Sequence, residues 1–171
     1  MKKSIQLFRE FITECIHDLR ESGPASRNAY LAAADTIRER RVQQEIPGLR
    51  EHPPLMLTAT IDDGWGHGLE VIHRFAEAVG LECTPLGLLL NPERVIEECR
   101  FHRPDLLGLT VLQFDSEDAL KRIRKEVPIR TRIVAGGPLF RADPDFTQRT
   151  GIDAGVRDAA GFLEFLLKVD L

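Results

Sequence analysis

Residues 55–80 read LMLTATIDDGWGHGLEVIHRFAEAVG, and this stretch decides the fold. Leu55 to Ile61 is an apolar run interrupted only by threonine, the pattern of a strand buried on both faces. A polar turn carrying Gly64, Gly66 and Gly68 follows. The spacing then predicts a helix from about Gly68 to Val79, closed by Gly80. Strand, glycine-rich turn and helix make the opening half of a βαβ unit.

The alternation continues to the C-terminus. Glu82 to Leu88 supplies a second strand, and Asn91-Pro92 marks the N-cap and first position of a helix to about Phe101. Leu106 to Leu112 reads as strand three, with a helix from Ser116 to Lys125 behind it. Arg132 to Ala135 is strand four, ended by Gly136-Gly137-Pro138. A short helix near Asp143 to Arg149 leads to a strand at Ile152 to Val156. The last helix, Ala159 to Val169, turns Phe162, Leu163, Leu166 and Leu167 inward. Residues 55–171 are therefore expected to form an α/β domain, flavodoxin-like (Rossmann-like), with a five-stranded parallel sheet in the order 2-1-3-4-5.

Residues 1–50 read as an N-terminal helical segment. Ile5, Phe8, Ile12, Cys15, Ile16 and Leu19 form one stripe that ends at Ser22-Gly23-Pro24. A second helix follows Ser26 and runs through Tyr30, Leu31, Ala34, Ile37 and Val42 toward Ile46, where Pro47-Gly48 stops it. His52-Pro53-Pro54 reads as a linker. Two helices bury only one face against each other. The pair is therefore expected to cover the sheet's carboxyl edge as a lid, or to build a homodimer with a second copy.

Composition narrows the function classes. The chain has 171 residues and a formal net charge of -4, with 43% hydrophobic and 29% charged residues. A chain of this length buries roughly 70% of its unfolded surface. Mixed charge without a basic cluster predicts no nucleic-acid partner. No run approaches the ~18 apolar residues of a membrane span, and Arg9, Glu10 and Glu14 interrupt any signal-type run. Cys15, Cys83 and Cys99 are odd in number and far apart, which points to neither a disulfide framework nor a zinc site. The expectation is a reduced, cytoplasmic protein. Its single tryptophan is Trp65.

Ligands of such sheets bind beyond the carboxyl ends of the strands, at the switch between strands one and three. The turns to read are Asp62 to Gly68, Leu112 to Asp115, and Gly136 to Phe140. In the first, three glycines permit close approach of a bulky ligand; the plainer reading is a loop in which Asp63 caps the following helix. Thr110 places one hydroxyl in the apolar run of strand three. The pair Gly136-Gly137 removes side chains at the end of strand four.

Taken together, these turns resemble the cobalamin (vitamin B12)-binding domain family. That family carries D-x-H-x-x-G after strand one, S-x-L after strand three and G-G after strand four. Here the matching residues are Asp63 and Gly68, Thr110 and Leu112, and Gly136 and Gly137. The run Gly151 to Val156 resembles the family's fifth strand, and the N-terminal helices resemble a shortened helical cap. One position departs from the pattern: Trp65 stands where the family's cobalt-binding histidine belongs.

Indole has an N–H donor and no available lone pair, so Trp65 is no metal ligand. His67 lies two residues past the motif position, and using it instead would require a different loop geometry. The resemblance implies a corrinoid-binding module that serves a separate methyltransferase as carrier, or a regulatory partner as sensor, and is not an enzyme alone. Cobalamin would then bind base-on, or without a protein histidine on cobalt. Asp63, Trp65, Gly68, Thr110, Leu112, Gly136 and Gly137 are the expected lining. Trp65 either stacks against the flat ligand or fills its space, and in the second case the domain has lost cobalamin.

Two other readings belong to the same topology. Asp62-Asp63 matches the acidic pair of phospho-receiver domains, but the ends of strands three and five lack the aspartate and lysine that mechanism needs. A flavodoxin-type phosphate loop would meet repulsion from the same two carboxylates. No G-x-S-x-G elbow, P-loop or Cys/His pair is present.

Overall fold

The computed structural model describes residues 2–171. Helices α1 (Lys2–Glu21) and α2 (Arg27–Gln43) lead into β1 (Leu55–Thr60), α3 (His67–Ala78), β2 (Glu82–Gly87) and α4 (Pro92–His102). Next come β3 (Leu106–Thr110), α5 (Glu117–Glu126), β4 (Arg132–Gly136), the short α6 (Leu139–Ala142) and α7 (Phe146–Thr150), β5 (Ala154–Val156) and α8 (Ala159–Lys168). Every strand pairing is parallel and the order is β2-β1-β3-β4-β5. This is the expected flavodoxin-like sheet.

Alternate residues of each strand feed opposite faces. Met56, Leu106, Val134 and Val156 join the core beneath α3 and α8, with Phe75 and Phe162. Leu57, Leu107, Leu109 and Ile133 join the core beneath α4 and α5, with Leu120 and Ile123. The helix starts follow local rules: Ser26 accepts the Ala29 N–H, and Asn91 accepts the Arg94 N–H ahead of Pro92. The helix expected near 143–149 is the shorter α7, and a separate turn of helix, α6, precedes it. Pro144 follows Asp143 and forces it into extended backbone (φ -132, ψ 91).

The N-terminal pair forms an outer layer on one face. The stripe Ile5, Phe8, Ile12 and Ile16 is buried in the first core, with α1 on α8 and α2 on α3. The pair is therefore not a lid over the carboxyl edge. That stripe is occupied within one chain. Arginines fasten this layer to the helix C-termini, where carbonyls lack helical partners. Arg41 Nε donates to the Ala78 carbonyl at 2.9 Å, Arg50 donates to Leu166 at 3.3 Å, and Arg9 donates to Leu167. Only the α1–α2 hairpin tip reaches the carboxyl edge. Among the described residues no helix is long and apolar enough to cross a membrane.

Candidate binding site at the carboxyl edge

A cavity of about 450 Å³ opens where β1 and β3 part, within the ~300–1,000 Å³ range of small-molecule sites. Asp63, Gly68, Thr110, Leu112, Gly136 and Gly137 all line it. The remaining expected residue, Trp65, does not: its side chain stands in solvent, 80% exposed. Its indole therefore does not fill the cavity itself.

The loop after β1 is braced from within. Thr60 Oγ1 donates to the Asp63 carbonyl and accepts the Leu89 N–H at 2.9 Å. Asp63 is 4% exposed, and its Oδ1 accepts the backbone N–H of Trp65 at 2.8 Å. It does not cap α3. Gly66 holds the N-cap in left-handed backbone (φ 68) with no side-chain cap, because Asp63 turns back onto the residue two ahead. The second carboxylate oxygen of Asp63 and the hydroxyl of Thr110 have no hydrogen-bond partner among the described residues.

The adjacent aspartate has a different task, which sequence reasoning missed. Asp62 accepts the N–H groups of Leu112 and Gln113 at 2.9 Å each and the Ser116 hydroxyl at 2.7 Å. It ties the end of β1 to the segment after β3, ends that strand at Thr110, and places Leu112 on the cavity rim. The two carboxylates therefore serve separate partners and do not face one ion. Among the described residues no group of three His, Cys, Asp or Glu gathers to hold a metal.

The glycines divide by cause. Gly137 has φ +150, and a Cβ there would lie 1.9 Å from the Val111 carbonyl oxygen, so the crossing backbone alone requires glycine. At Gly68 a Cβ would meet only the Thr110 side chain, Cγ2 at 3.6 Å and Oγ1 at 3.9 Å, both ordinary contacts. Packing does not demand glycine at that wall.

Other lining residues lay outside the motifs. Val71 and Ile72 of α3 give an apolar wall, and Tyr30 enters from α2 with its ring edge-on to Phe75 at 6.4 Å. Arg27 also lines the mouth and pairs with Glu70. Arg141 and Arg157 line the β4–β5 end. No local signal marks Tyr30 or Arg27, since only tertiary packing brings the hairpin there; Arg157, directly after strand five, was open to detection. Exposed Leu88 and Leu89 stand beside the Trp65 loop, next to Gly66 and Gly64 respectively.

Histidines and thiols complete the inventory. His67 lines the cavity, its ring centroid 6.2 Å from that of Trp65. His73 packs in α3, with Nδ1 3.5 Å from Thr58 Oγ1 and Nε2 3.3 Å from Glu77. Burial pushes the thiols of Cys83 and Cys99 up to about 12, so neither is a ready nucleophile.

Residues 58–162 match the B12 binding domain family. No curated protein matches the chain. Among solved structures, a cobalamin-binding protein from Desulfitobacterium hafniense DCB-2 is similar in fold, with a TM-score of 0.73 and 18% identity over 95% of this chain and 79% of that one. The monomethylamine corrinoid protein of Methanosarcina barkeri gives 0.59 and 23% identity over 67% of this chain and 57% of that one. The methanol:cobalamin methyltransferase complex MtaBC of the same organism gives 0.60 and 17% identity over 88% of this chain and 60% of that one. The chain thus spans under two thirds of the two Methanosarcina chains. With the family match covering more than half of its length, and the lined cavity at the carboxyl edge of its sheet, this chain belongs to the B12 binding domain family.

Proposed function

We propose that this chain is a cobalamin-binding module that works with a separate methyltransferase, as methyl carrier or sensor, and that it holds the cofactor without a protein histidine on cobalt. The observation that carries this reading is the cavity lined by Asp63, Gly68, Thr110, Leu112, Gly136 and Gly137. The residues fit a nucleotide tail. The volume suits an appendage and not a whole corrin, and the glycine walls are flat. Asp63 keeps one carboxylate oxygen and Thr110 its hydroxyl without a protein partner at the cavity wall, where a ligand can reach them.

Each residue has a task in this reading. Gly68 and Gly136 admit a flat group against backbone, and Val71, Ile72 and Leu112 exclude water beside it. Asp63 and Thr110 orient the ligand through their free oxygens. Trp65, Leu88 and Leu89 offer an exposed apolar surface on which a wide ring can rest. When bound, the cofactor supplies methyl or radical chemistry, while the protein encloses and orients it. Likeness of fold to a corrinoid protein and to a methyltransferase complex supports the partner class. Equilibrium dialysis against hydroxocobalamin tests the reading, which requires retention of close to one corrin per chain.

A further inference from the structure

Arg141 and Arg157 line the same end of the cavity, and neither has an acidic partner among the described residues. Arg141 projects from α6 and Arg157 from the junction of β5 and α8. The third guanidinium at the wall, Arg27, is already paired with Glu70. Two carboxylates also line the cavity. Asp63 lies beyond β1, three strand spacings from β5, or roughly 14 Å at ~4.8 Å per strand. Asp158 is turned to α8, where its Oδ1 accepts the Gly161 N–H at 2.8 Å. The first turn of that helix reaches the same wall through Ala159. In a chain with 27 acidic against 23 basic residues, two uncompensated guanidiniums at one end of a cavity set a local field opposite to the net charge.

We propose that Arg141 and Arg157 form an anion grip for the phosphodiester of a nucleotide-bearing corrinoid. The inference rests on the cobalamin reading and sharpens it, because it makes the tail the feature that is selected. Guanidinium forks match phosphate oxygens in pairs, and both side chains are exposed enough to swing onto a ligand without breaking an existing ion pair.

The test compares hydroxocobalamin with cobinamide, which keeps the corrin and lacks the nucleotide tail. Wild-type protein is expected to bind cobalamin about tenfold or more tightly than cobinamide at low salt. Arg141→Gln/Arg157→Gln is expected to remove that preference by weakening cobalamin alone, with an unchanged melting temperature and far-UV spectrum. The Lys/Lys variant keeps the charge and is expected to retain part of the preference. Unchanged cobalamin binding in the Gln/Gln variant, or equal loss for both corrinoids, overturns the grip and leaves the module reading intact. Binding of neither corrinoid by the wild type overturns both. Flavin mononucleotide, a phosphate from another source, is titrated in parallel; tight binding that displaces cobalamin also overturns the assignment.

Discussion

The carboxylate of Asp63 accepts the backbone N–H of Trp65 at 2.8 Å, while the indole of the same residue stands 80% exposed. The aspartate thus holds the loop through the main chain, whatever side chain position 65 carries.

Trp65→His therefore leaves the loop intact. Its melting temperature is expected to equal the wild type's, and Trp65→Ala to fall within about 0.5 kcal/mol of it. In the histidine variant, bound hydroxocobalamin is expected to shift its visible bands toward those of histidine ligation. Unshifted bands with bound cofactor would place Trp65 outside the cobalt's lower side.

Gly68→Ala separates stability from binding. The Cβ has room beside Thr110, and alanine in a helix is favoured over glycine by up to about 1 kcal/mol. Denaturant titration is expected to find the variant slightly more stable, while corrinoid affinity falls because the methyl group stands in the cavity. Gly137→Ala is the opposite case. With Val111 oxygen 1.9 Å from the new Cβ, it is expected to lose more than about 2 kcal/mol.

Asp62→Ala releases two N–H groups and the Ser116 hydroxyl. Hydrogen bonds to a charged acceptor contribute about 1.5–3 kcal/mol each when buried, and this site is partly exposed, so a total loss of about 2 kcal/mol is expected from urea denaturation. Asp62→Asn, which still accepts, is expected to lose less.

The thiols predict an alkaline limit. Cys83 and Cys99 are held protonated by burial, with values raised from 9.0 to about 12. A group raised on folding supports the fold below its unfolded value, and that support is lost as pH climbs toward the folded value. Under reducing conditions, the urea midpoint is expected to fall between pH 9 and about 12. Cys83→Ala/Cys99→Ala is expected to flatten that decline even if its midpoint at neutral pH is lower.

The fold was legible because buried parallel strands write themselves as apolar runs and helix starts carry local chemistry. Leu106 to Thr110 is buried throughout, and Ser26 and Asn91 cap as their residue types predict. The cavity wall was legible where it follows strand ends, as at Asp63, Thr110 and Gly136. What escaped depends on long-range juxtaposition. The grip of Asp62 on Leu112 needs β1 beside β3, and Tyr30 reaches the cavity only because α2 packs on α3. The main-chain bond from Trp65 to Asp63 likewise belongs to the loop's folded shape, which residue types alone do not dictate.

The central claim is that the cavity at the carboxyl edge holds the tail of a corrinoid whose cobalt receives no histidine from this chain. Its most direct test is ultraviolet–visible titration with hydroxocobalamin and methylcobalamin, followed by gel filtration. The account predicts corrin absorbance that co-elutes with the protein, carries a base-off spectrum without histidine ligation, and is lost in a Gly68→Leu variant that stays folded. Corrin absorbance absent from the protein peak would contradict it.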